Sequence, residues 1–135
     1  VITRIRFDVP TSPTTLARLP LAADVWFIFS TSPVAKGTVD LAIFSQALHH
    51  AVRPERALAA AHRMLKKSGR IVILDLLSHR FEKARELYAD HWLGFSEVQL
   101  HELLEGAGFK NIDVRVVSRE KQSPHFQTVF ATGVK

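Results

Sequence analysis

Cysteine is absent from all 135 residues, which removes disulfide bonds and thiolate-held zinc from the chemistry open to this chain. No apolar run approaches the roughly 20 residues that a membrane-spanning helix needs, so no membrane partner is expected. The N-terminus VITRIRFDVP lacks the cationic stretch, apolar stretch and small-residue cleavage site of a secretory signal, and the expected location is cytoplasmic. Glycine is scarce: six occur, none before Gly37, and no phosphate loop or nucleophile elbow is present. What is there suits one folded domain, with 47% apolar and 23% charged residues. The formal charge of +5 comes from 18 basic and 13 acidic side chains. Both signs are interleaved along the helical stretches. The one tight basic cluster, Lys66, Lys67 and Arg70, falls near the end of an expected helix, where cations favour the dipole. Nucleic acid is therefore not an expected partner.

Two regions differ in texture. Residues 1–38 carry Pro10, Pro13, Pro20 and Pro33 among Ser and Thr, with no helical period. They read as an irregular, extended segment in which Val1–Phe7 and Val25–Phe29 resemble short strands. Residues 39–135 are regular and read as an α/β domain. Val39–Phe44 is a short apolar run suited to a buried strand. Pro54 opens a helix whose stripe is Ala57, Leu58, Ala61 and Leu65, with Gly69 as its expected stop. Arg70–Leu77 (RIVILDLL) is apolar on both faces, as a central parallel strand is. Phe81, Ala84, Tyr88 and Trp92 recur at helical spacing, and Phe81 and Tyr88 are expected in its core stripe. Ser96-Glu97-Val98-Gln99 has the form of a capping box, and Leu100, Leu103, Leu104 and Ala107 supply that helix's inner face up to Gly108. Ile112, Val114 and Val116 alternate as a strand, and Gln127–Thr132 forms another across a hairpin loop.

Strand, helix, strand, two helices, strand, strand implies a parallel α/β sheet with an antiparallel pair at one side. Ligands of such sheets collect at the carboxyl ends of the parallel strands. Those ends are Ser45–His50 and Asp75–His79.

VDLAIFSQALHH, RPERALAAAHRMLKKSGRIVILDLLSH and HWLGFSEVQLHELLEGAGF resemble the C-terminal half of class I S-adenosylmethionine-dependent methyltransferases. They look most like the type 11 group associated with ArsR-type regulators. The resemblance covers about residues 39–135 and implies a truncated Rossmann-like sheet with family strand order 4-5-7-6. It implies methyl transfer from S-adenosylmethionine to a small-molecule acceptor. It also departs from the family, whose glycine-rich, cofactor-gripping first half has no counterpart in residues 1–38, a departure that removes the family's cofactor grip. The contrasting expectation is a non-catalytic binding or dimerisation module. Loss of the family's first strand leaves strand four as an edge, which Val25–Phe29 or a second copy of the chain, in a homodimer, would cover.

By the resemblance, Ser45, Gln46 and Leu48 line the cofactor, His49, His50 and Asp75 are the catalytic candidates, and His79, Trp92 and Phe95 border the substrate. A histidine here can take a proton from a substrate nucleophile, because its pKa lies near neutrality. Each has a plainer reading: imidazoles bonded to backbone, Asp75 capping a turn, and Trp92 with Phe95 packing a turn between helices. No metal is expected, because consecutive His49 and His50 should point apart and no His-x-x-x-His spacing occurs.

Overall fold

The computed structural model describes residues 35–135. The expected edge cover, Val25–Phe29, and the rest of the extended segment up to residue 34 lie outside the described residues. Strand β1 (Val39–Ser45) runs into a 3-10 turn (Leu48–His50) and helix α1 (Pro54–Met64). Strand β2 (Leu65–Leu76) follows, then the short helix α2 (Ala84–Leu87) and helix α3 (Glu97–Gly106). Strands β3 (Lys110–Arg119) and β4 (Gln127–Val134) complete a four-stranded sheet of order β1-β2-β4-β3. β1 pairs parallel with β2, while β4 pairs antiparallel with both β2 and β3. This is the order expected from the resemblance. Among the described residues no helix is long and apolar enough to cross a membrane.

The core lies on one face of the sheet. Ile71, Ile73, Val129 and Ala131 from β2 and β4 are fully buried against Ala57, Leu58 and Ala61 of α1 and Leu100 and Leu104 of α3. Pro54 occupies the first turn of α1, where its missing N–H leaves no bond unmade. The capping box is complete: Ser96 Oγ accepts from Gln99 N at 3.1 Å, and Gln99 Oε1 accepts from Ser96 N at 2.9 Å.

Two local expectations are corrected. α1 ends at Met64 rather than near Gly69, because Leu65 already pairs with Val39. The ladder resumes at Leu41–Arg70, with Ser68 at φ 65° inside the excursion. Gly69 is needed there for close approach, since a Cβ would lie 2.9 Å from the Lys66 carbonyl oxygen. Secondly, the stripe Phe81–Trp92 yields only the single turn of α2. Tyr88 is 48% exposed and Trp92 38% exposed, whereas Ala84 is buried. Ala89 at φ 57° turns the chain out of the helix, and the next N–H groups bond elsewhere. Val116 lies in β3, as its alternation with Ile112 and Val114 predicts, and is 38% exposed beside a register shift between Val116 and Ser118.

The segment after α2 crosses the carboxyl end of β2. Phe95 N donates to Leu76 O, Ser78 N to Phe95 O and His79 N to Leu93 O, at 2.9–3.1 Å. Gly94 permits this crossing: it sits at φ +76°, and a Cβ there would lie 2.5 Å from Leu77 O and 2.6 Å from Leu76 O. Both contacts are backbone, which cannot swing aside. Gly94→Ala is expected to lower unfolding stability by at least about 1–3 kcal/mol. Urea denaturation checks it, and an unchanged midpoint would contradict the crossing.

Candidate active site

The carboxyl ends of the two parallel strands bring together residues far apart in the chain. Asp75, fully buried, lies near the end of β2 in a row that is otherwise apolar. Its Oδ2 accepts from Leu48 N at 2.8 Å and its Oδ1 from Leu76 N at 2.8 Å. Oδ1 also lies 2.6 Å from His49 Nδ1. A carboxylate only accepts, so the imidazole donates from Nδ1 and turns Nε2 toward the far side. The 3-10 turn is what brings the ring there, and it begins right after Gln46, whose φ of 50° bends the chain across the strand end.

Beyond His49 stands Asp90, which no motif or spacing singles out. It is 4% exposed, and neither carboxylate oxygen has a hydrogen-bond partner. Asp90 Oδ1 lies 3.5 Å from His49 Nε2 and 3.6 Å from His50 Nδ1. Asp90 is carried in by the crossing chain, because His91 N and Trp92 N both donate to His49 O at 3.1 and 2.9 Å. The indole of Trp92 donates to Ala51 O at 2.9 Å and closes the same turn. No local pattern around Asp90 signals this; it depends on contacts across about half the domain.

Burial dominates the electrostatics. It lowers the His50 pKa to about 4, with His49 adding to the effect. It raises that of Asp90 above the usual carboxylate range, against the pull of His49. Burial also lowers that of His79.

His49, His50 and Asp75 thus converge. The premise that the two histidines diverge is corrected: their ring centroids are 4.0 Å apart, because the tight 3-10 turn sets successive side chains closer than an extended chain would. Ser45 and Gln46 are exposed at the end of β1. Leu48 is instead fully buried in the core, with its N–H taken by Asp75, which leaves it no face toward a cofactor. His79 accepts from Phe81 N through Nδ1 at 3.2 Å, and its buried Nε2 has no partner. Its ring packs on Phe126 with centroids 4.6 Å apart. Trp92 stacks on Phe95 with centroids 5.7 Å apart. Phe95 itself is core, 1% exposed, so this pair packs the turn between helices as well as lining a groove of about 590 Å³ between α1 and α3.

Comparison with known proteins agrees with this topology. A family model described as a methyltransferase domain matches residues 6–114, and so takes in most of the N-terminal segment too. No curated protein matches the chain. A solved S-adenosylmethionine-dependent methyltransferase of Thermotoga maritima, described as a possible histamine N-methyltransferase, superposes with TM-score 0.65 at 25% identity, over 79% of this chain and 61% of its own. The cyclase SpnF superposes with TM-score 0.63 at 19% identity, over 79% and 53%. A phosphoethanolamine N-methyltransferase of Haemonchus contortus, solved with S-adenosyl-L-methionine, gives 0.63 at 12% identity, over 74% and 34%. The chain therefore spans between about a third and three fifths of the length of these three structures.

Asp75→Ala is expected to cost about 1–3 kcal/mol of unfolding stability, because buried donors at Leu48 and His49 lose their acceptor. Chemical denaturation measures this, and a loss below a few tenths of a kcal/mol would refute the role given to the carboxylate.

Proposed function

Because the chain belongs to the methyltransferase domain family, we propose that it supplies the acceptor side of S-adenosylmethionine-dependent methyl transfer to a small molecule, at the carboxyl ends of β1 and β2. The observation that carries this reading is the Asp75–His49 couple, 2.6 Å apart, at the end of the sheet where ligands of such folds bind. When bound, the cofactor supplies a methyl group on a sulfonium, ready for in-line attack by a nucleophile. By the family resemblance, Ser45 and Gln46, both exposed, would hold its methionine end.

The chain's own residues then align the acceptor and manage its proton. His49 Nε2 presents a lone pair for that proton. Asp75 holds the ring in one orientation and balances the imidazolium that forms. His50 packs against His49 and limits the position of the acceptor. His79, whose Nδ1 accepts a backbone N–H, has an unpartnered Nε2 that donates to an acceptor oxygen. Trp92 offers an apolar wall.

Titration calorimetry of the full chain with S-adenosylhomocysteine tests the cofactor half of this reading. Saturable heat is expected, and none at millimolar ligand would favour the non-catalytic module. For the chemistry, His49→Gln is expected to lower kcat about 10²–10⁴-fold with little change in cofactor affinity. Full turnover in that variant would remove His49 from the reaction.

A further inference from the structure

Two buried carboxylates meet the same imidazole, and only one of them is accounted for. Asp75 has its three donors. Asp90 has none, although leaving a carboxylate buried without partners costs several kcal/mol. Its nearest polar neighbours are the two ring nitrogens at 3.5 and 3.6 Å. Those separations are too long for charge-assisted hydrogen bonds, which run about 2.7–2.9 Å. They match another arrangement. Ligand atoms placed tetrahedrally about an ion, with bonds of about 2.0–2.1 Å, lie roughly 3.4 Å from one another.

We propose that His49 Nε2, His50 Nδ1 and Asp90 form a binding site for a divalent transition ion of the zinc or cobalt class. The three donor atoms lie within 4.8 Å of one another. Two imidazoles and a carboxylate are the donor set that such borderline ions take, in preference to the all-oxygen cages of calcium and magnesium. The outer shell is already built. The hydrogen bond from His49 Nδ1 to Asp75 makes a carboxylate–histidine pair whose other nitrogen faces the site, as in zinc centres. His50 gives up only a long 3.4 Å contact with Ala89 O on turning its lone pair inward. Three protein ligands leave one position open, for water or for an acceptor heteroatom.

This site stands independently of methyl transfer. The two are nonetheless exclusive at one atom, since His49 Nε2 cannot hold a proton and an ion together. Loading with metal is therefore expected to withdraw the lone pair that the proposed base uses.

The chelator-treated 135-residue chain is titrated with Zn2+ by calorimetry and with Co2+ by visible absorption. One ion per chain and the absorption of four-coordinate Co2+ are expected. Asp90→Asn is expected to weaken binding at least about 10-fold and abolish that spectrum, and Asp75→Asn to weaken it about 10–100-fold. His125→Gln, at an exposed position, serves as the control and should bind as the parent does. Circular dichroism confirms that each variant is folded. Absence of stoichiometric binding by the parent chain, or equal binding by folded Asp90→Asn, overturns the site. So does an imidazole nitrogen spectrum in which His49 Nε2 carries a proton in the presence of Zn2+, since a proton would then fill the gap.

Discussion

The arrangement at the carboxyl ends of the parallel strands depends on one buried carboxylate. Asp75 lies in a row of β2 whose other members are apolar, and it is tolerated there because three donors converge on it. Those donors belong to two pieces of chain: β2 itself, through Leu76 N, and the 3-10 turn, through the backbone of Leu48 and the imidazole of His49. By gathering them, the carboxylate fixes the turn. The turn in turn offers the His49 carbonyl to the N–H groups of His91 and Trp92, which draws the crossing segment over the site. Asp90 is where it is because of that chain of contacts.

The two carboxylates differ in what surrounds them rather than in what they are. Asp75 is held by backbone N–H groups that cannot leave, whereas Asp90 faces only side chains whose protons and lone pairs can be exchanged. The first positions the turn, and the second is left with its oxygens unpartnered. Between them, His49 is anchored on one nitrogen and available on the other. Gly94 has a comparable role in the backbone, since it is the residue whose missing Cβ lets the crossing chain lie against the carbonyls of Leu76 and Leu77.

Much of the frame was legible in the residues. RIVILDLL reads as a strand covered on both faces, and the structure buries Ile71 and Ile73 while half-burying Val72 and Leu74. The Ser96–Gln99 pair marks a helix start that the structure reproduces bond for bond. The convergence of His49 with Asp75 follows from parallel strands ending side by side, once their order is known. The failures share a cause. Tyr88 and Trp92 keep helical spacing, yet the backbone at Ala89 leaves the helix, and the N–H groups of His91 and Trp92 find the His49 carbonyl far back in the chain instead. Periodicity measures local neighbours and contains no information about such partners. Asp90 escaped for the same reason.

The position of β4 has a consequence for the order of assembly. It separates β2 from β3 and comes after both of them in the chain, so among the described residues neither strand finds that neighbour until the final segment has been synthesised. β1 and β2 can zip together early, but β3 must wait beside them with its edge unmatched. Nascent polypeptide in that interval would present an open, apolar flank, the kind of surface that ribosome-associated chaperones shield.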